Sequence, residues 1–322
     1  MTATVSFMVP VQDDLRAVEA LMRAQAEGYH PDLSAAMDLL ISAGGKRIRP
    51  AMTILIGRML GAPHQLIISL ATSIEMLHTG TLVHDDLIDG ALLRRGSPTL
   101  NSHWSPGATV LTGDFVFARA AKLASDTDSV PVMKLFARAL TIIVNGEIAQ
   151  LLGSRCTADR ENYLTRIYAK TASVFETSAQ SAALIAESDP ETVEMMRRYG
   201  NDIGMAFQII DDILDYTGEQ STMGKPVGSD LRQGIVTLPA LHYVEAHPGD
   251  SLAQKLREGQ CLSDDQVDRL LDSIRKSDAI RRSHQEAVAY VERGLEELCK
   301  LPATPERFGL EELANYIVER KF

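Results

Sequence analysis

The chain has 322 residues, of which 43 are acidic and 32 basic, for a net charge of −11. That length holds a sizeable core, as one large domain or two small ones. A surface of this sign repels nucleic acid, and no basic run interleaved with aromatics offsets it, so nucleic-acid binding is excluded.

The three cysteines, Cys156, Cys261 and Cys299, are odd in number and far apart. They predict neither a disulfide framework nor a CxxC metal site, only buried or idle thiols of the kind that persist in a reducing cytosol. Residues 1–14 lack a basic stretch followed by an apolar core, so no signal peptide is expected. The longest uncharged stretch, Gly96 to Gly113, holds two prolines and many polar residues, and no transmembrane helix is expected.

Apolar residues recur at helical spacing almost throughout, and no alternating run marks a hairpin. Helices are predicted over 11–27, 32–43 and 50–60, with Gly44-Gly45 and Pro50 marking a joint. The next, 64–89, carries Ile67, Leu70, Ala71, Ile74 and Leu77 on one face. Helices over 107–124 and 130–151 follow, the second with a broad face of Phe136, Leu140, Ile143, Val144, Ile148 and Leu151. Residues 160–187 read as one helix. Asp189-Pro190-Glu191 then opens a helix over 190–215, with a capping Asp and Pro at the first helical position. Residues 217–234 form a long polar loop, of a kind that serves as a lid or binding loop. Helices over 237–246, 264–274, 277–300 and 308–320 complete the chain. Nothing reads as a linker, so the expectation is a single large all-α domain over 1–322.

Two acidic clusters end long apolar helices: Asp85-Asp86-Leu87-Ile88-Asp89 and Asp211-Asp212-Ile213-Leu214-Asp215. Residues four apart share a helix face, so Asp85 pairs with Asp89 and Asp211 with Asp215. Such pairs repel each other and also meet the negative end of the helix dipole. A sequence that does this twice brings a cation, and hard oxygen ligands suit Mg²⁺ shared with substrate phosphates. Basic residues flank both clusters. Gly44-Gly45-Lys46-Arg47-Ile48-Arg49-Pro50 precedes the first, Arg94-Arg95-Gly96-Ser97-Pro98-Thr99 follows it, and Lys225 lies in the loop after the second. Arginine forks and lysine point charges match phosphate oxygens. His78, two turns before Asp85, can face the same cavity, whereas His84 reads as a helix-surface or partly buried histidine. Walker, zinc, nucleophile-elbow and dinucleotide motifs are missing from the sequence.

The ordered set GGKRIRP (44–50), HDDLID (84–89), RRGSPT (94–99), GD (113–114), GE with Gln150 (146–150), KT (170–171), FQIIDDILD (207–215), GKPVGSDL (224–231) and TLP (237–239) resembles the trans-isoprenyl (polyprenyl) diphosphate synthases. The resemblance implies the helical isoprenoid-synthase fold around a central cavity. It implies head-to-tail condensation, in which an allylic diphosphate ionises, the double bond of isopentenyl diphosphate attacks, and a proton leaves. About three Mg²⁺ ions would join the allylic diphosphate to Asp85, Asp89 and Asp211, with Asp86, Asp212 and Asp215 in or near the coordination shell. Arg94, Lys170 and Lys225 would contact the allylic diphosphate. Lys46, Arg49, His78 and Arg95 would hold isopentenyl diphosphate. Thr171 and Gln208 would turn oxygen dipoles to the cation, and the departing pyrophosphate would accept the proton.

One departure stands out. Where the family often has Gly-Lys before TLP, this chain has Gly234-Ile235, with Arg232 the nearest candidate to compensate. The resemblance further implies a homodimer in the cytoplasm, with peripheral membrane contact on release of a lipid product. A heteromer of which this is the catalytic member, a synthase of farnesyl or geranylgeranyl length, and a terpene cyclase are the rival readings. A cyclase has no use for the second-diphosphate cations Lys46, Arg49 and Arg95. Gly80 and Thr81, five and four residues before Asp85, are not aromatic, so the product is expected to exceed C20, in the C30–C50 range.

Overall fold

A computed structural model describes residues 6–94, 96–153, 155–218 and 227–320. Arg95 and Lys225 therefore lie outside the described residues. A 3-10 turn, Ser6–Val11, leads into α1 (Gln12–Ala24), α2 (Pro31–Ser42), α3 (Ile48–Met59) and α4 (His64–Ile88). Next come α5 (Pro106–Ser125), α6 (Val130–Leu152), α7 (Arg160–Ile167), α8 (Ser173–Ile185) and α9 (Pro190–Thr217). The chain closes with α10 (Ser229–Arg232), α11 (Leu238–Ala246), α12 (Ser251–Arg257), α13 (Asp264–Lys276), α14 (Ala279–Leu298) and α15 (Pro305–Glu319). The fold is all-α as expected. The strands among the described residues are the two-residue pieces Leu93–Arg94 and Ser97–Pro98, paired antiparallel within the RRGSPT motif.

The chain divides into two compact units. The first comprises Met1–Leu140, Val174–Gly200 and Glu297–Leu313. Its central element is α4, whose residues from Ile67 to Leu77 are buried on every side, not only along the stripe of Ile67, Leu70, Ala71, Ile74 and Leu77. A helix apolar all round belongs inside its neighbours. Two polar side chains in this stretch are satisfied locally. Thr72 donates to the Ile68 carbonyl at 2.7 Å, and Ser73 to the Ala120 carbonyl of α5 at 2.8 Å. α4 and α5 approach closely through glycines. A Cβ on Gly113 would lie 2.2 Å from His84 Nε2, and one on Gly80 would lie 2.8 Å from the Phe117 ring. The predicted start of α9 is present: Asp189 accepts from the backbone N–H of Glu191 at 2.9 Å and of Thr192 at 3.0 Å.

The second unit comprises Thr141–Ser173, Asn201–Glu296 and Ala314–Phe322. Its core includes Tyr163, Ile209, Tyr216, Leu238, Val267, Leu270 and Ile274. The Tyr216 hydroxyl meets Thr237 Oγ1 of the TLP motif at 2.9 Å, and Arg275 Nε donates to the Tyr216 carbonyl at 2.7 Å. Three expectations are corrected here. Residues 160–187 are not one helix, because a π-helical turn, Tyr168–Ala172, separates α7 from α8. The seven-residue α12 was not foreseen; Asp250 caps it, accepting from Leu252 and Ala253 N–H groups at 2.8 and 2.9 Å. The cysteines are not all idle thiols, since Cys156 and Cys261 form a disulfide while Cys299 is free and exposed.

Two helices, α4 and α6, are long and apolar enough by length and composition to cross a membrane, which the sequence expectation did not foresee. The apolar window of α4 is 72% buried and that of α6 only 17%. On α6, Phe136 and Ile143 are buried, but Val144, Ile148 and Leu151 of the expected broad face are exposed, and so is Leu152.

Candidate active site

In the first unit the chemistry gathers where α4 ends. Asp85 and Asp86 lie on its last turn and Asp89 is the residue that caps it, its N–H bonded to the Asp85 carbonyl at 2.8 Å. Asp85 is half-buried and Asp89 is exposed. Asp86 is buried, and Arg94 closes on it. Arg94 Nε lies 2.9 and 3.0 Å from its two oxygens, with Nη2 2.8 Å from Oδ1. The short antiparallel strand pair positions this arginine, because its turn returns the chain beside the helix end. Arg49, on the first turn of α3, is buried with its guanidinium 4.6 Å above the Phe175 ring. His78 is half-buried on α4, one turn beyond the buried Glu75. His84 serves packing. Its Nε2 meets the Val110 carbonyl at 3.1 Å, and its ring lies edge-on to Phe117 at 5.4 Å.

In the second unit, α9 brings Gln208, Asp211, Asp212 and Asp215 to its C-terminal turns, and the π-helical turn carries Lys170 and Thr171. Single π turns recur at functional sites, since the extra residue redirects the side chains it holds. A chain of hydrogen bonds joins the two elements. Thr171 Oγ1 donates to Gln208 Oε1 at 2.6 Å, and Gln208 Nε2 donates to Asp212 Oδ1 at 2.8 Å. Tyr163, on α7, donates its hydroxyl to Asp212 Oδ2 at 2.8 Å. Burial and the nearby charge of Asp230 push Asp212 up to about 8, against the hydrogen bonds from Gln208 and Tyr163 and the charge of Arg166, which favour its anion. Asp215 accepts from the N–H groups of Ser229 at 3.1 Å and Asp230 at 3.2 Å, so it caps α10. Lys170 Nζ reaches Glu147 Oε1 of the GE motif at 2.8 Å. Asp211 is 39% exposed at its side chain, and its Oδ1 pairs with Arg320 Nη1 at 2.8 Å. Arg320 is itself buried, 4.2 Å over the Phe207 ring.

Sequence reasoning missed three of these groups. Tyr163 and Arg320 are separated from the aspartates they meet by 49 and 109 residues, with no spacing signal to announce them. Arg166 donates Nη2 to the Val236 carbonyl at 2.7 Å, beside the position where the family's lysine is missing. It lines a cavity of about 290 Å³ together with Gly146, Gln150, Arg155 and Ile235. Its place one turn before Lys170 was the available clue. Arg232 does not fill the gap, because its guanidinium is engaged by Asp264 and Asp268 of α13.

Among the described residues, no three His, Cys, Asp or Glu side chains converge as a ready-made metal cage. The donor set still suits one particular kind of ion. Mg²⁺ keeps several waters and takes one or two carboxylates plus substrate phosphate oxygens. Accessible carboxylates at two helix ends, with guanidinium and ammonium groups nearby, fit a metal delivered with a diphosphate.

An all-α scaffold with two aspartate-rich helix ends, each attended by cations, defines a diphosphate-processing enzyme of the prenyl-transferring class. The polyprenyl synthetase family pattern matches residues 30–274. A prenyl transferase from Synechocystis sp. is 37% identical, over 99% of each chain. The octaprenyl diphosphate synthase of Escherichia coli K12 is 36% identical, over 87% of this chain and 88% of that one. A polyprenyl synthase from Caulobacter crescentus, solved with calcium and isoprenyl diphosphate, superposes with a TM-score of 0.90 at 35% identity, covering 98% of this chain and 97% of that one. The chain belongs to the polyprenyl synthetase family. It is a prenyltransferase, condensing isopentenyl diphosphate with an allylic diphosphate into a longer polyprenyl diphosphate.

Proposed function

We propose that the aspartates of this prenyltransferase divide into metal holders and internal supports. Asp85, Asp89 and Asp211 hold Mg²⁺, about three ions by resemblance, together with the allylic diphosphate. Bound there, the metal offsets the charge that develops on the departing pyrophosphate. Asp86 keeps Arg94 directed at the same diphosphate, and Lys170 and Lys225 complete its cationic surround. Asp212 lies beneath, fixing Gln208. Asp215 secures α10, the first helix after the segment that contains Lys225. The observation that carries this division is the contrast within the second cluster. Asp212 is sealed with both oxygens accepting hydrogen bonds, whereas Asp211 is partly open to solvent and held by one guanidinium.

Thr171 gives its hydroxyl hydrogen to Gln208. Its oxygen lone pairs are then turned away from that bond, which is the orientation that stabilises an allylic cation. Lys46, Arg49, His78 and Arg95 hold isopentenyl diphosphate through its uncoordinated diphosphate, and the departing pyrophosphate takes the final proton. Arg166, beside Ile235, is the cation nearest in sequence and space to the lysine this chain lacks, which favours it over Arg232 as the substitute.

The whole chain acts as one catalytic domain on this reading, as the near-complete coverage of its relatives supports. The product exceeds C20, since neither Gly80 nor Thr81 carries an aromatic stopper. The uncovered apolar residues of α6 form the homodimer interface. The enzyme works in the cytoplasm and touches a membrane surface when the lipid product leaves. Incubation of the purified chain with radiolabelled isopentenyl diphosphate, farnesyl diphosphate and Mg²⁺ tests the reading. Elongated diphosphates beyond C20 support it. Products that stop at C15–C20 overturn the length, activity only with a second protein supports the heteromer, and a cyclised hydrocarbon supports the cyclase.

A further inference from the structure

Arg47 lies between two residues assigned to isopentenyl diphosphate, Lys46 and Arg49, yet has no role in that assignment. Its backbone is left-handed, with φ 45° and ψ 33°, where a side chain with a Cβ is disfavoured and glycine is the usual occupant. A residue stays in such a conformation only when its surroundings hold it there, and such residues cluster at ligand clamps. The holding contacts are explicit. Arg47 Nη1 meets Glu75 Oε1 of α4 at 2.6 Å, Nε meets Glu19 Oε1 of α1 at 3.0 Å, and Nη2 donates to the Ile41 carbonyl of α2 at 3.1 Å. The side chains of Arg47 and Glu75 are only 11% and 7% exposed. One guanidinium thus joins three helices, while its own carbonyl accepts from Ala51 at 3.0 Å and starts the fourth, α3. Glu75 stands three residues before His78, on the same face of α4. The clamp therefore ties the segment bearing Lys46 and Arg49 to the stretch of helix that bears His78.

We propose that Arg47 is the positioning residue for isopentenyl diphosphate: clamped on Glu75, Glu19 and the Ile41 carbonyl, it sets Lys46 and Arg49 in register with His78. The proposal rests on the assignment of those three residues to that substrate. A fork with five N–H donors is needed for such a three-way contact, and lysine cannot reproduce it.

The test uses the full-length enzyme and separate Michaelis constants for isopentenyl diphosphate and for farnesyl diphosphate. Arg47→Gly accepts the left-handed backbone but removes the clamp. It is expected to raise KM for isopentenyl diphosphate about tenfold, with kcat and the farnesyl diphosphate KM within about twofold of wild type. Arg47→Lys, with charge kept and fork lost, gives a smaller rise in the same constant, as does Glu75→Gln. If Arg47→Gly does not fold, the last two variants carry the test. Folded variants with both constants unchanged overturn the proposal, as does a parallel loss in both constants and kcat. Lys46→Gln separates the two levels. A rise in the isopentenyl diphosphate KM for Lys46→Gln without one for the Arg47 variants refutes the clamp alone. No change for Lys46→Gln refutes the underlying assignment.

Discussion

Placing a phenylalanine at Gly80 and at Thr81 has different expected consequences, although the two are adjacent and both precede Asp85. On a path running down α4 from the aspartates, they lie about 7.5 and 6 Å along the axis from Asp85. Sequence alone gives them one role, so that a ring at either would stopper the growing chain. Packing separates them. The space beside Gly80 is filled by the Phe117 ring of α5, which a Cβ would meet at 2.8 Å, closer than carbon atoms pack. Phe117 is braced in turn by the His84 ring. Thr81 is half-buried, with its hydroxyl bonded only to the His78 carbonyl one turn back, at 2.7 Å. Gly80→Phe therefore overpacks the α4–α5 contact at about 1–3 kcal/mol, of which the gain in helix propensity over glycine returns at most about 1 kcal/mol. The net loss is about 1–2 kcal/mol, or a few degrees in Tm for a chain of this size. Thr81→Phe carries no such clash and shortens the product to C15–C20. Thermal unfolding and chain-length chromatography of both variants check this. A Gly80→Phe enzyme with the Tm of wild type and short products, beside a Thr81→Phe enzyme with long ones, would refute the reasoning.

Asp85→Ala or Asp211→Ala should abolish turnover while leaving the helical circular dichroism signal in place, because each of these carboxylates is accessible; near-normal rates at ordinary Mg²⁺ would remove them from the metal site. Glu286 is held at about 2: burial pushes it up, but hydrogen bonds from His242 and Arg160 outweigh that. Its folded value lies below its unfolded one, so it stabilises fully above about pH 4.5 and loses this as pH falls towards 2. After discount for partial exposure this is worth about 1–2 kcal/mol, and Glu286→Gln should lower Tm at pH 7 but hardly at pH 2–3, which pH-dependent melting measures. The Cys156–Cys261 disulfide closes a span of 105 residues, for which chain entropy predicts a loss of up to about 4–5 kcal/mol on reduction. Thiol titration of native protein should find Cys299 alone, and three reactive thiols before any reductant is added would contradict the pairing.

What was legible in the sequence follows the range of the physics involved. Asp189-Pro190 announced a helix start because capping acts over three residues, and the helical class followed from periodicity. The π turn at Lys170 and Thr171 was illegible, since one extra residue in a turn barely disturbs an apolar pattern that resumes after it. The disulfide was illegible because two lone cysteines 105 residues apart have no characteristic spacing. Within the aspartate motifs, spacing paired Asp85 with Asp89 and Asp211 with Asp215. It could not tell that Asp86 and Asp212, the second residue of each motif, are the buried ones.

That last point has a physical cause common to both motifs. Asp86 and Asp212 each follow the first aspartate by one residue, about 100° around the helix, which turns them from the accessible face towards the packed one. A buried carboxylate must be compensated, and the chain does this in two ways. Asp86 keeps its charge through the Arg94 fork. Asp212 is met by the neutral donors Tyr163 and Gln208, and burial raises it to about 8. The first arrangement places a cation at the end of α4, and the second fixes an amide that in turn accepts from Thr171. The same sequence motif thus supplies a positioned charge at one helix end and an oriented dipole at the other. A substrate that ionises needs both, a charge to receive its diphosphate and an oxygen dipole to face its carbocation.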